Sequence, residues 1–268
     1  MRVAVVQQSP CGDVASTTAH QLALVRRAAD QGARLVVLPE GGLTGLPRRH
    51  IEAVAAAQPL DGAYVATVGE AAAALRVAVV VNFCEPATVG GRTVVYNTTA
   101  VLEAGEIART YRKVHLFDAQ GYCESASIEP GDPAQLSASP LVLDGVAVAL
   151  ATCFDLRFAE LAVAVARRGA ELLAVPAAWV AGPHKRGQWE VLLRARAIET
   201  GCYLAGAAQP GPQFTGGSGI YGPDGVPVAA VLGDDGEGVV VADVDPRVVA
   251  RARATTPTLR HRPVWDAR

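Results

Sequence analysis

Three reactive side chains stand where apolar runs give way to loops. Cys153 closes the run in "GVAVALATCFDLRFAEL", Glu40 follows Pro39 in "LVVLPEGGLTG", and Lys113 ends a run in "ARTYRKVHLF". Val146–Ala151 has the small apolar pattern of a buried strand and Leu156–Arg168 has a helical period, so Cys153 falls at their junction. A thiol facing a helix N-terminus gains from the dipole and the free backbone N–H groups, which favour the thiolate. A strand-to-helix elbow also keeps the side chain accessible.

Glu40 is preceded by Val-Val-Leu-Pro and followed by two glycines, which places its carboxylate at a sheet rim. Partial burial there raises a carboxyl pKa toward the range of a general base. Arg112 and Lys113 are neighbours on a strand, so one faces solvent and the other the rim. The chain has 24 Lys and Arg residues, yet only Lys113 and Lys185 are lysine. A lysine kept against that bias fits a position needing a compact, desolvated ammonium. Nucleophile, carboxylate base and oxyanion cation form the set required for acyl transfer through a thioester. Taken singly, each also fits a structural role: a buried thiol, a strand-end glutamate bonding loop amides, a surface base. A Cys–His pair is the obvious competitor, but no histidine stands in an equally telling context, and the five histidines show no metal-ligand spacing.

Bringing these residues together requires elements that end at one rim. Apolar, β-branched runs bounded by Gly, Pro and Asp predict strands at 2–7, 35–38, 77–83, 94–102, 108–113, 141–143, 146–152, 172–175, 203–208 and 239–244. Helical periods fall between them, at 16–31, 64–76, 156–168, 187–200 and 246–254, the last with Asp245 as N-cap and Pro246 in its first turn. Asp144-Gly145 in "LVLDGVAV" predicts a hairpin, and "IYGPDGVPV" a second. This alternation, with its added antiparallel pairs, predicts a mixed α/β sheet system with helices on the outer faces. "GARLVVLPE", ending at Glu40, echoes "GAELLAVPA", ending at Ala177, and each follows a helix that follows a strand. Two such βαβ units would build a pseudo-symmetric sandwich. No linker divides the chain, so 1–268 reads as one domain with a C-terminal tail from about residue 255.

Half of the 268 residues are apolar and the net charge is −2, which points to neither a nucleic-acid partner nor an anionic membrane. No apolar run approaches the roughly 20 residues of a membrane span. "MRVAVVQQSP" reads as a first strand rather than a signal peptide. Cys11, Cys84, Cys123, Cys153 and Cys202 are odd in number and include no CxxC pair, against both a disulfide framework and a zinc site. No metal or cofactor is expected, and the expected compartment is the cytoplasm.

In this order, "LPEGGLTG", "YRKVHLF" and "CFDLRFAEL" resemble the three signature segments of the nitrilase (carbon–nitrogen hydrolase) superfamily, over Arg2 to about Asp245. "ESASIEPGD" and "QWEVLLRARAIETGCYLAGAAQ" are similar to its Nit-type ω-amidase and deaminated-glutathione amidase branch. The resemblance implies a four-layer αββα sandwich with two mixed β-sheets, dimerising through helices that flank the site. It implies Glu40 as general base, Lys113 as transition-state cation and Cys153 as nucleophile. Glu124 matches the second glutamate, which orients substrate and Lys113, and the Phe154 backbone N–H completes the oxyanion site. The chain departs from the pattern at Trp179, where many relatives carry Phe, at "TGGSGIYG", and in the basic insert His184-Lys185-Arg186. Trp179, Lys185 and Arg186 are thus candidate substrate-binding residues, the two cations suiting a carboxylate.

The expected reaction is hydrolysis of a non-peptide C–N bond in a small, carboxylate-bearing amide, releasing ammonia or an amine. An N-carbamoyl amide hydrolase and a nitrilase are the alternatives within the superfamily. A catalytically weak ligand-binding scaffold and a redox-sensing thiol are alternatives of other classes. A homodimer or higher homo-oligomer is expected, with Val264-Trp265 of the tail as a docking pair.

Overall fold

In the computed structural model, which describes residues 1–229 and 231–261, the apolar runs form two facing sheets. The first strands are β1 (Arg2–Gln7), β2 (Leu35–Val37), β3 (Ala78–Val89), β4 (Arg92–Glu103) and β5 (Glu106–Arg112). A short ribbon follows, β6 (Asp118–Ala119) and β7 (Tyr122–Cys123). Then come β8 (Leu141–Leu143), β9 (Val146–Leu150), β10 (Leu172–Ala177), β11 (Tyr203–Ala208), β12 (Gly219–Tyr221) and β13 (Gly238–Asp243). The helices are α1 (Val14–Asp30), α2 (His50–Ala56), α3 (Ala63–Leu75), α4 (Ala159–Arg167), α5 (Lys185–Thr200) and α6 (Pro246–Thr255). One sheet has the order β13-β1-β2-β3-β4-β5 and the other β12-β11-β10-β9-β8, both with parallel and antiparallel pairs.

The central strands are apolar on both faces because both faces are covered. In β1, Val3 and Val5 point into the space between the sheets, while Ala4 and Val6 point toward α1 and α3. β10 repeats the pattern: Leu172 and Ala174 face inward, Leu173 and Val175 face α4 and α5. Helix, sheet, sheet and helix therefore stack as four layers, as expected. The echo between the two halves is also a structural repeat. β1–α1–β2 and β9–α4–β10 are both parallel crossover units, with Val3 opposite Leu35 and Val148 opposite Leu172.

Local signals act as anticipated at several ends. Asp13 accepts the Ser16 N–H at 2.7 Å to start α1, and Asp245 accepts the Arg247 N–H at 2.9 Å to start α6. Asp144 and Gly145 take φ of 44° and 78°, the left-handed pair of a two-residue hairpin turn between β8 and β9.

Four elements differ from expectation. The helix anticipated over 156–168 is split: a 3-10 turn, Cys153–Arg157, precedes α4, and Phe158 stands between them with β-region backbone. "IYGPDGVPV" closes as a tight turn with one bridge, Tyr221 to Pro227, since each proline removes a ladder donor. α2 and the β6–β7 ribbon arise from stretches without a clear period. Val264-Trp265 lies outside the described residues.

Candidate active site

Glu40, Lys113 and Cys153 meet at the rim where β2, β5 and β9 end, and Glu124 joins them from the 3-10 turn Glu124–Ala126 after β7. The Leu38 N–H still bonds the Val80 carbonyl at 2.9 Å, then Pro39, lacking an N–H, ends the ladder and Glu40 enters the site. Its carbonyl accepts the Gln209 amide at 2.8 Å. Gly41 follows with φ of +59°, and its N–H donates to Asn82 at 2.9 Å. At the end of β5, Arg112 turns outward to pair with Glu85 at 2.5 Å and stack over Tyr96, while Lys113 turns inward.

The Lys113 Nζ donates to Glu40 Oε1 at 2.9 Å and to Glu124 Oε2 at 2.8 Å. All three side chains are at most 3% exposed. Asn97 Nδ2 donates to Oε1 of both glutamates at 2.9 Å, the Ala178 N–H to Glu40 Oε2 at 2.8 Å, and the Phe117 N–H to Glu124 Oε2 at 2.7 Å. Asn97 is in turn fixed by Asn82, which donates to its Oδ1 at 2.7 Å. Each carboxylate is thus satisfied by fixed donors, the condition for keeping charge in a buried site.

Burial alone would raise the Glu40 carboxyl, but Lys113, the Cys153 thiol and the Ala178 N–H together hold it below its ordinary 4.5. The expected upward shift of the base is therefore reversed, because its counter-ion is also buried against it. Burial opposes the Lys113 ammonium, yet the Glu124 and Glu40 carboxylates hold it well above 10.5. The Cys153 thiol is pushed well above 9.0, by burial first and by the Glu40 charge next, against the pull of Lys113.

The thiolate expected at a helix N-terminus is disfavoured in this site, by burial and by the Glu40 charge. Cys153 opens the 3-10 turn rather than α4, which starts only at Ala159, and dipole effects fade beyond one turn. Cys153 is 7% exposed, at the floor of the cleft rather than openly accessible as anticipated, and its thiol faces Glu40. It stands on a residue of φ +47°, a left-handed conformation unusual for a residue with a Cβ. Phe154 follows at the first turn, where backbone N–H groups lack intrahelical partners, and it lines the same cleft. A buried thiol beside an ionised base, with an ammonium and a free amide opposite, can attack a carbonyl while giving up its proton.

The cleft above the thiol opens to solvent, spans about 370 Å³ including that open space, and is walled by Leu46, Phe117, Tyr122, Phe154, Trp179 and Val180. Two cations enter it. Lys185 lies 5.6 Å from the Trp179 ring centroid, and its pKa is lowered by burial and then by the Arg157 charge. Arg157 stacks over Trp179 at 4.7 Å and donates to Gln188 at 2.9 Å. Among the described residues neither has a carboxylate partner. Trp179 itself donates from Nε1 to the Lys185 carbonyl at 3.2 Å, holding the start of α5 against the cleft.

Arg186 does not belong to this group. It turns away to pair with Asp234 at 2.9 Å and bond the Leu232 carbonyl at 3.2 Å, and it lies so close over Gly217 that a side chain there would collide. The residues that sequence reasoning missed are Arg157, Asn97, Asn82 and Gln209. Two of them carried a signal: Asn82 and Asn97 are amides inside otherwise apolar, β-branched strands.

The sequence profile of the family described as Carbon-nitrogen hydrolase matches residues 2–254. A deaminated glutathione amidase of Escherichia coli O157:H7 is 36% identical over 240 residues, covering 89% of this chain and 88% of that protein. Among solved structures, the NitN amidase of Nesterenkonia sp. AN1 is 30% identical, with a TM-score of 0.76 over 95% of this chain and 97% of that one. A mutant of the same amidase, 28% identical with a TM-score of 0.73 over 95% and 97% of the two chains, shows the result of Michael addition of acrylamide at its active-site cysteine.

Proposed function

The chain belongs to the carbon–nitrogen hydrolase family, and from that premise we propose that it hydrolyses a small, carboxylate-bearing amide through a thioester on Cys153. The observation that carries the reading is the buried Lys113 ammonium, 2.9 Å from Glu40 and 2.8 Å from Glu124, at the thiol's side of the cleft. Glu40 accepts the thiol proton as sulfur bonds to the amide carbon. Lys113 and the Phe154 N–H hold the resulting oxyanion. When the tetrahedral adduct collapses, the C–N bond breaks and Glu40 returns the proton to the departing nitrogen. Water then attacks the thioester with Glu40 again as base, and the acid leaves as the thiol is restored.

Lys185 and Arg157, which have no carboxylate partner among the described residues, support a carboxylate on the acyl side or close to it. The names of the relatives make a glutathione-derived amide the first substrate to assay. The deciding experiment measures ammonia or amine release from amides, N-carbamoyl amides and nitriles, with intact mass to detect an acyl group on Cys153. Cys153→Ala should fold like the parent and release nothing. Full turnover by that variant, or an acyl group on another residue, would overturn the reading.

A further inference from the structure

Asp155 is wholly buried and takes no part in the chemistry above, yet its carboxylate meets four hydrogen-bonding groups beside the site. Oδ2 accepts the Thr152 N–H at 3.0 Å and the Tyr111 hydroxyl at 2.7 Å. Oδ1 accepts the His115 backbone N–H at 2.9 Å, and His115 Nδ1 lies 2.8 Å away. A carboxylate only accepts, so Nδ1 carries the proton. These partners fall into two groups. Thr152 immediately precedes the nucleophile in the second sheet's rim, whereas Tyr111 and His115 bracket Lys113 at the rim of the first. One carboxylate therefore grips both the turn that carries the thiol and the segment that carries the ammonium.

That grip meets a need visible in the backbone. Cys153 is held at φ +47°, which an L residue adopts only when its surroundings impose it. On its own side the turn is held by Arg196, which donates to the Leu156 and Arg157 carbonyls at 3.0 and 3.1 Å. His115 adds a second hold, since its ring stacks on Phe158, the residue that ends the turn, at 3.6 Å and 9°. The only other side-chain tie from the turn's base across the sheets is Thr152 to Thr99, at 2.9 Å, among the hydrogen bonds of the described residues.

We infer that Asp155 and His115 form a positioning clamp that sets the Cys153 thiol against Lys113. Neither touches the reacting atoms. The clamp rests on the proposed roles of Cys153 and Lys113, but it is read out independently of any substrate.

The test compares His115→Ala with His115→Asn, because His115 is a quarter exposed and its replacement spares the core. The asparagine amide can restore a donor near the Nδ1 position; alanine cannot. His115→Ala should lower kcat for a neutral amide roughly ten- to hundred-fold, the scale of a small misplacement of reacting groups, with KM unchanged. It should slow carbamidomethylation of Cys153 by iodoacetamide, followed by intact mass, to a similar degree. His115→Asn should recover most of both rates. Asp155→Asn, if it folds, should match or exceed the alanine defect. A parent-like alkylation rate and kcat in His115→Ala would overturn the clamp, as would a loss confined to KM or no recovery by asparagine. If no amide is turned over by the parent, the functional reading fails while the alkylation comparison still decides the clamp.

Discussion

The Ala178 N–H donates to Glu40 Oε2 across 2.8 Å, and the donor is the residue next to Ala177, the counterpart of Glu40 in the second repeated unit. The proposed base is thereby held by both sheets at once. Its ionised form is favoured by a contact that exists only when the sandwich has closed.

Activity should therefore persist to unusually acid conditions for a carboxylate base. Glu40 must be ionised to accept the thiol proton, and its pKa lies below 4.5, so kcat/KM should stay level down to about pH 5 and fall only below the ordinary carboxylate value. The same depressed value adds stability that is present above 4.5 and lost as pH falls through the folded value. Asn97→Ala, which removes one donor to Glu40, should move the acid limb upward. A parent pH–rate profile with its acid limb near neutrality would refute this.

Lys113→Arg should abolish turnover while circular dichroism remains that of the parent. The ammonium fits between two carboxylates at 2.9 and 2.8 Å, and the planar guanidinium would direct its donors elsewhere. Losing one aligned oxyanion donor costs about 3–4 kcal/mol, a hundred- to thousand-fold in rate. Activity within a few-fold of the parent would remove Lys113 from the mechanism.

Cys153 should behave as a thiol, not a thiolate. Folding raises its pKa above 9.0, so its contribution to stability is present below 9.0 and is lost as pH rises toward the folded value. The melting temperature of Cys153→Ala should therefore gain on that of the parent between pH 8 and 10. Alkylation of Cys153 at neutral pH should depend on Glu40, and Glu40→Gln should slow it at least ten-fold, a general-base effect. An ionisation step near pH 8.5 in the labelling rate of Cys153 would contradict the buried thiol.

Lys185 and Arg157 should discriminate by substrate charge. Replacing both with alanine should raise KM for an acidic amide and leave a neutral amide of similar size unaffected. Arg186→Ala should change neither KM, since its side chain pairs with Asp234 outside the cleft; the lost surface pair should cost about 0–1 kcal/mol in denaturant melts. Equal KM shifts for acidic and neutral amides would show that the two cations shape the cleft without reading charge.

Self-association should run through α5. Val191 and Ile198 lie on its outer side, 63% and 55% exposed, and Val226 and Val228 are exposed on the neighbouring turn, where Arg194 bonds the Gly225 carbonyl. Contiguous exposed apolar side chains of this kind favour a protein partner. Sedimentation should give a dimer or larger species at micromolar concentration, and Ile198→Asp should shift it toward monomer. A monomeric parent would refute the expectation.

Much of this site is legible along the chain because each reactive group closes an apolar run, and runs of that kind must end at a sheet rim. The four-layer stack follows from strands such as β1 and β10 that are apolar on both faces. Asn97 is less visible, since its role depends on two glutamates brought from different strand ends. Arg186 was misassigned for a geometric reason: successive helical residues point about 100° apart, so Lys185 and Arg186 cannot both face one cleft. Arg157 was overlooked because the split between the 3-10 turn and α4, which aims it at Trp179, depends on Phe158 and on contacts far away in sequence.

The pairing of one ammonium with two carboxylates beneath a neutral thiol has a further consequence. The cluster of Lys113, Glu40 and Glu124 carries one unit of negative charge in surplus. When the thiol proton passes to Glu40 and the carbonyl oxygen takes up the electron pair, the surplus is still one unit, now on the adduct beside Lys113. Collapse of the adduct and return of the proton restore the first arrangement. The reaction thus displaces a charge over a short path among buried groups instead of creating one there. Dipoles set by folding, such as the Asn97 amide and the Ala178 N–H, need little reorientation at any stage.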